Sequence, residues 1–337
     1  NPKQWNALKL LNEKGEFITA ENGTEVLKLA ENEDFNYAEV DDLGKYETRD
    51  DAFNIHIQKI LDLPMVDAEA IKAKKFKVVL DAVNSTGGLA LPPLLEKLGC
   101  EVVELYCEPN GQFPHNPEPL KEHLTDICNL VKETKADLGI VVDPDVDRLA
   151  LIDENGEMFG EEYTLVAVAD YLLKHKKGIA ISNLSSSRAL RDVAQKHQSH
   201  YFASAVGEVN VVTLMKEKNA VIGGEGNGGI IYPDLHYGRD SLVGVALFLT
   251  HLAKENKTVS ELTPEINVDA LLTKVEKEYQ NEDVSTVDGV KIDFPENWVH
   301  LRKSNTEPII RIYTEAKSQE EADKLGDEMI EKIRSLI

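Results

Sequence analysis

The sequence predicts a multi-domain α/β protein, with related mixed α/β sheet domains followed by a C-terminal α+β domain. Two observations carry this. Between Lys77 and Leu252, short apolar runs bounded by turn residues alternate with segments of helical spacing, the pattern of βαβ units. Beyond about Glu255, four strand-like runs follow one another and a helix closes the chain, the pattern of a separate α+β unit. At 337 residues the chain is long enough for two or three domains of ~150 residues.

Lys77–Leu80 reads as a buried strand and Asn84-Ser85-Thr86-Gly87-Gly88 as a turn. Leu89–Leu98 reads as a helix that stops at Gly99. Glu101–Leu105 is a second strand, Leu120–Lys132 has helical spacing, and Leu138–Val142 is a third strand. The pattern then repeats. Helices are expected at Tyr163–Lys174, Ser187–Gln195, Val209–Lys216 and Ser241–Leu252. Between them, Gly178–Ser182, Tyr201–Ala205, Ala220–Gly223 and Ile230–Tyr232 read as strands. A meander follows at Val284–Val287, Val290–Phe294, Trp298–Leu301 and Ile309–Tyr313, closed by a helix over Ser318–Ser335. The expected organisation is an acidic, partly helical stretch over 1–50 that is too short for a complete domain, α/β domains over 51–160 and 161–256, and an α+β domain over 257–337.

The formal net charge of −23 argues against a nucleic-acid or membrane-surface partner, since both are polyanions. A small anionic substrate remains compatible with local basic clusters. Cys100, Cys107 and Cys128 are odd in number and lack C-x-x-C spacing, as expected of reduced thiols in a cytoplasmic protein. No apolar run reaches ~18 residues, and Asn-Pro-Lys-Gln-Trp does not resemble a secretory signal. The first residue is not Met, so the chain is expected to start inside a longer protein.

The most informative stretch is Val141-Val142-Asp143-Pro144-Asp145-Val146-Asp147-Arg148. In an extended segment, side chains at i, i+2 and i+4 share a side, so Asp143, Asp145 and Asp147 are expected to converge. Converging carboxylates repel unless a cation lies between them, and oxygen ligands suit a hard ion such as Mg²⁺. Arg148 can hold a phosphate through two parallel hydrogen bonds. A metal beside a phosphate-gripping arginine reads as phosphoryl transfer. Asp143, Asp145, Asp147 and Glu154 also match positions 1, 3, 5 and 12 of an EF-hand loop, but Arg148 stands where glycine is required and an apolar strand precedes. A solvated acidic turn without metal is the remaining alternative.

Two further segments carry candidate ligands. Gly223-Gly224-Glu225-Gly226-Asn227-Gly228-Gly229 contains a formal G-x-G-x-x-G, yet strand-like Ile230-Ile231-Tyr232 follows where a dinucleotide site needs a helix. A ligand loop presenting Glu225 and Asn227, or a plain flexible turn, fits better. Arg302-Lys303-Ser304-Asn305-Thr306-Glu307-Pro308, with Arg311 beyond, offers hydroxyls, an amide and guanidinium groups at a turn, as a phosphate clamp or a solvated hairpin does. Gly207-Glu208 and His236-Tyr237-Gly238-Arg239-Asp240 are weaker signals for the same cleft.

Together these segments resemble the α-D-phosphohexomutase family, which includes phosphoglucomutases, phosphomannomutases and phosphoglucosamine mutases. Its members have three related α/β domains and a C-terminal α+β domain. Its signatures run in order as T-A-S-H-N-P, D-P-D-G-D-R, G-E-x-S-G-H and R-x-S-[GN]-T-E-P. Here the metal loop is Asp143–Arg148, with Val146 where glycine is usual. The sugar loop is Gly224–Gly229, with Asn227 for serine and Gly229 for histidine, and Arg302–Pro308 matches the phosphate loop fully. Asn1-Pro2 resembles the end of the serine loop, which places the family's phosphoserine two positions before Asn1. Asn6-x-x-Lys9 continues that loop and matches Lys9 to the family's proton-transfer lysine. The connection Lys254–Thr263 is short for the family.

The resemblance implies an isomerase that moves a phosphoryl group between C1 and C6 of a hexose phosphate through a phosphoserine and a bisphosphorylated sugar. It implies Mg²⁺ on Asp143, Asp145 and Asp147, with Arg148 and Lys9 catalytic. Substrate would be held by Glu225, Asn227, Arg302, Ser304, Asn305, Thr306 and Arg311, in a monomer or homodimer. Gly-Glu-Gly-Asn-Gly-Gly resembles the sugar loop of phosphoglucosamine mutases. A phosphomannomutase/phosphoglucomutase and a catalytically silent sugar-phosphate-binding protein are the alternatives.

Overall fold

The computed structural model describes residues 8–262, 268–303 and 310–336. The chain divides into two compact units, Asn1–Thr263 and Pro264–Ile337.

In the first unit the chain enters through helices α1 (Ala20–Glu31), α2 (Ala52–Leu61) and α3 (Ala68–Lys74). No residue of α1 is buried, whereas α2 buries Ile57 and Ile60 and α3 buries Ile71. A first sheet follows, from β1 (Lys77–Asp81), α4 (Gly87–Lys97), β2 (Glu101–Leu105), α5 (Thr125–Thr134), β3 (Leu138–Val142) and β4 (Leu149–Ile152). Its strand order is β2-β1-β3-β4. β1 runs parallel to β2 and β3, and β4 closes the edge antiparallel to β3. All five residues of β3 are buried, as a continuous apolar run in a parallel sheet requires. Ile127 and Val131 of α5 pack on Val79, Val141 and Ile152.

After α6 (Glu161–His175) the same arrangement recurs in β5 (Ile179–Asn183), α7 (Ala189–Lys196), β6 (His200–Ser204), α8 (Glu208–Lys218), β7 (Ile222–Gly224) and β8 (Ile230–Ile231). The order is β6-β5-β7-β8, parallel except for the last strand. Helix α9 (Ser241–Glu255) is buried at every position from Ser241 to Ala253, so it is a core helix and shows no polar face. The short helix α10 (Val259–Leu262) ends the described part of this unit. The two sheets share one topology, and the metal-type and sugar-type loops occupy the same place in each: residues 143–148 join β3 to β4, and residues 225–229 join β7 to β8.

The second unit contains α11 (Val268–Glu278), β9 (Asp283–Ser285), β10 (Val290–Asp293), β11 (Trp298–Lys303), β12 (Ile310–Glu315) and α12 (Gln319–Leu336). The strands form an antiparallel meander in the order β12-β11-β10-β9. Leu271 and Val275 of α11 and Met329 and Ile333 of α12 bury one face, against Val290, Ile292, Val299 and Leu301.

Two expectations change in detail. The helix expected over Leu120–Lys132 begins only at Thr125, because a 3-10 turn at Lys121–His123 comes first. Strand β4, which the sequence reading does not include, makes the first sheet mixed, as the expected strand β8 does the second. Among the described residues no helix is long and apolar enough to cross a membrane, and the three cysteines are free.

Candidate active site

Asp143, Asp145 and Asp147 do converge, with one carboxylate oxygen from each within 4.8 Å of the others. The route differs from the extended pleat the spacing suggested. The chain leaves β3 and folds into a tight turn, in which the Val146 N–H donates to the Asp143 carbonyl at 3.1 Å. Val146 takes φ 61°, the left-handed region that a β-branched residue rarely adopts. Its carbonyl accepts from the Ser241 N–H at 3.1 Å, which pins the turn to the start of α9. Ser85 Oγ donates to the Pro144 carbonyl at 3.0 Å.

The triad is electrostatically unbalanced. Asp143 is buried, and its Oδ1 accepts from the N–H groups of Asp147 and Arg148, both at 3.0 Å. Burial first, and then the neighbouring charges of Asp147 and Asp145, push its carboxyl up to about 7. Asp145 is half-exposed, and burial alone would raise it. Its contacts with Lys9 and with Asp143 outweigh burial and lower it. Lys9 Nζ bonds Asp145 Oδ2 and lies 3.8 Å from Asp147 Oδ2. Three oxygen donors that crowd negative charge are the donor set of a hard divalent cation, and this loop could hold a metal ion. The EF-hand alternative fails here, because Glu154 is engaged by the hydroxyl and N–H of Ser260.

Arg148 is paired with Glu118 through Nη1, while its buried Nε has no partner among the described residues. Arg239 is the centre of the site. Its Nη2 donates to Asp147 Oδ2 at 2.6 Å, its Nη1 to Glu225 Oε2 at 2.9 Å, and its Nε to Glu208 Oε2 at 3.0 Å. Burial alone would lower its pKa, but the three carboxylates raise it and keep it charged. Glu225 is buried and held on its other oxygen by Asn183 Nδ2 at 2.9 Å. One guanidinium therefore joins the β3–β4 loop, the β7–β8 loop and the first residue of α8. The sequence flagged Glu208 and Arg239 only weakly and Asn183 not at all.

Profiles of known families match three consecutive parts of the chain. Residues 53–156 match phosphoglucomutase/phosphomannomutase alpha/beta/alpha domain II, 160–267 match domain III, and 256–332 match the C-terminal domain. The chain belongs to the phosphoglucomutase/phosphomannomutase family. It is an isomerase, a phosphohexomutase. A phosphoglucomutase/phosphomannomutase of Thermococcus kodakarensis is 36% identical over 98% of this chain and 77% of its own length. A probable phosphoglucosamine mutase of Methanopyrus kandleri is 32% identical over 100% of this chain and 77% of its own. The crystal structure of a phosphoglucomutase/phosphomannomutase family protein from Burkholderia thailandensis has the same fold. It has a TM-score of 0.65 at 24% identity, covering 95% of this chain and 71% of that one.

Two departures from the phosphohexomutase pattern have visible physical counterparts. A Cβ at Gly229, where the pattern has histidine, would lie 2.4 Å from Arg239 Cδ, so the arginine stem fills that space. Between these two positions Gly228 keeps the glycine of the pattern: φ is 80° and a Cβ would lie 2.0 Å from the Leu149 carbonyl oxygen, so the sugar-type loop lies against the start of β4. Asn227 Oδ1 is used within its own loop, accepting from the Gly229 N–H at 3.2 Å.

In the second unit, Arg302 on β11 stands directly opposite Arg311 on β12. Val299 and Leu301 face the helices, so Arg302 and Arg311 share the other face of the sheet. Arg302 donates to Asp288 at 3.2 Å and lies over the Tyr313 ring. Ser304, Asn305 and Thr306 lie outside the described residues.

Proposed function

We propose that this phosphohexomutase acts on amino-hexose phosphate, interconverting glucosamine 6-phosphate and glucosamine 1-phosphate with Mg²⁺. The observation that carries the reading is the converging acidic triad, rimmed by Lys9 and Arg148 and tied through Arg239 to Glu225 of the Gly-Glu-Gly-Asn-Gly-Gly loop. Asp143, Asp145 and Asp147 hold Mg²⁺, which when bound supplies positive charge to the phosphoryl group in transfer. Lys9, held at the triad by Asp145, would relay the proton of the attacking hydroxyl. Arg148 exchanges Glu118 for a phosphate oxygen, a bidentate partner for its fork. Glu225 and Asn227 orient the sugar hydroxyls. Arg302, Ser304, Asn305, Thr306 and Arg311 hold the phosphate that is not reacting.

A second reading, a phosphomannomutase/phosphoglucomutase, is favoured by the name of the Thermococcus kodakarensis relative. The test is turnover of the full-length protein on glucosamine, glucose and mannose 1-phosphates, compared as kcat/KM. Glucosamine 1-phosphate should be preferred, and a preference for mannose or glucose 1-phosphate selects the second reading. Asp145→Ala should cut Mg²⁺-dependent turnover by roughly 100-fold or more, the scale of a lost charge-stabilising group. Turnover like that of the wild type would remove Asp145 from the site.

A further inference from the structure

We propose that His56, His236 and Asp240 form a second metal site, for a borderline transition ion of the Zn²⁺ class, separate in chemistry from the acidic triad. The three residues come from different elements: His56 from the middle of α2, His236 from the turn after β8, and Asp240 from the N-cap of α9. Asp240 Oδ2 lies 2.6 Å from His56 Nε2 and 3.0 Å from His236 Nε2. The three ligand atoms lie within 4.8 Å of one another.

The geometry is built before any ion arrives. Asp240 Oδ1 is fully used, accepting from the N–H groups of Leu242 at 2.8 Å and Val243 at 3.1 Å. That double cap fixes the carboxylate and aims Oδ2 outward at the two rings. A tetrahedral ion with bonds of about 2.0–2.1 Å keeps its ligand atoms ~3.3 Å apart. Each imidazole therefore needs to open its distance to Asp240 Oδ2 by less than ~1 Å to admit one. Asp240 is buried, while His56 and His236 are 32% and 40% exposed, so the ion has one side open to a water as fourth ligand.

The donor set selects the ion. Two imidazole nitrogens and one carboxylate oxygen suit Zn²⁺, Co²⁺ or Ni²⁺, whereas Mg²⁺ prefers oxygen alone. One net negative charge from Asp240 and two neutral rings leave the loaded site with a charge of about +1, which solvent on the open side can screen. An ion here would lock α2 to the turn that precedes Arg239, and so brace the residue joining the two site loops.

The experiment uses the full chain, stripped with a chelator and then saturated with Mg²⁺ so that the triad is occupied. Zn²⁺ is titrated against a chromophoric competitor, and Co²⁺ is added separately as a spectroscopic probe. One equivalent of Zn²⁺ should bind, raise Tm in the presence of Mg²⁺, and weaken by roughly tenfold or more in both His236→Ala and His56→Gln. Co²⁺ should give the intense visible bands of a low-coordinate nitrogen-containing site. Asp145→Asn should leave this binding intact. Zn²⁺ binding that survives His236→Ala and His56→Gln, or that disappears in Asp145→Asn, overturns the proposal. If a histidine variant fails to fold, the wild type alone decides: no Tm shift and no Co²⁺ bands in the Mg²⁺-saturated protein also overturn it.

Discussion

Arg239 reaches Asp147 across 92 positions of sequence, with Nη2 and Oδ2 only 2.6 Å apart. The contact is almost closed to solvent, with both side chains 12% exposed. Removing the guanidinium strands three carboxylates, on Asp147, Glu208 and Glu225. Arg239→Gln should therefore destabilise the first unit by about 3–5 kcal/mol, the usual loss when one partner of a buried charge cluster is removed. Arg239→Lys should recover part of this, since one ammonium can serve one or two of the carboxylates but lacks the fork. Denaturant unfolding measures both, and a loss under ~1 kcal/mol for Arg239→Gln would show that the cluster is solvated.

The left-handed turn makes a prediction about residue size at position 146. Val146 is 7% exposed, so its methyls contribute burial while its backbone is strained. Val146→Ala loses about 1.6 kcal/mol of burial and keeps a Cβ in the unfavourable region. Val146→Gly loses one more carbon but relieves about 1–2 kcal/mol of that strain. The two variants should unfold within ~0.5 kcal/mol of each other, whereas at an ordinary buried position glycine is worse than alanine by ~1–2 kcal/mol. Denaturation midpoints decide it, and the ordinary ordering would mean the turn is not strained in solution.

Arg311 tests the phosphate loop. Arg302 and Arg311 stand directly opposite each other on one sheet face, so an anion lying across both would meet two guanidinium groups. Arg311→Ala should weaken sugar phosphate binding by ~1.5–3 kcal/mol, the scale of hydrogen bonds to charged groups. Calorimetric titration separates this from a solvated hairpin, for which the change stays under ~0.5 kcal/mol.

His115 should make stability pH-dependent. Its Nε2 faces Asp81 Oδ2 at 3.0 Å and its Nδ1 faces the Asn116 carbonyl at 2.7 Å, so only the imidazolium donates to both. The Asp81 contact is the leading cause of a raised pKa, against the lowering effect of burial. A raised folded pKa means that the stabilisation is fully present below the unfolded value of ~6.5 and is lost as pH rises through the folded one. The Tm gap between wild type and His115→Gln should be widest near about pH 6 and narrow towards about pH 9. A gap that widens with pH would reverse the assignment.

What was legible in the sequence was local. β3 matches its expected span, Leu138–Val142, because five consecutive apolar residues buried on both faces leave no other register. β4 escaped notice because Leu149–Ile152 follows Arg148 without a turn residue and reads as the tail of the loop. The three aspartates are recognisable by type and spacing, but the turn that gathers them depends on Val146 and on the N–H of Ser241, far along the chain. Arg239 is only a weak signal in the sequence, although it is the centre of the site. Its partners lie 14, 31 and 92 positions away, and no short-range spacing encodes such a meeting.

The two sheets of the first unit repeat one wiring plan, and each presents its hairpin tip between an inner parallel strand and an antiparallel edge. Such a tip is a socket. Its ends are fixed by ladder hydrogen bonds to a strand already locked in the core, so its contents can change without retuning the helices. One socket here carries aspartates and the other a glycine-rich run with a single glutamate, and a lone arginine is the wire between them. Exchanging tips, rather than redesigning walls, is the economical route to a different substrate on this frame.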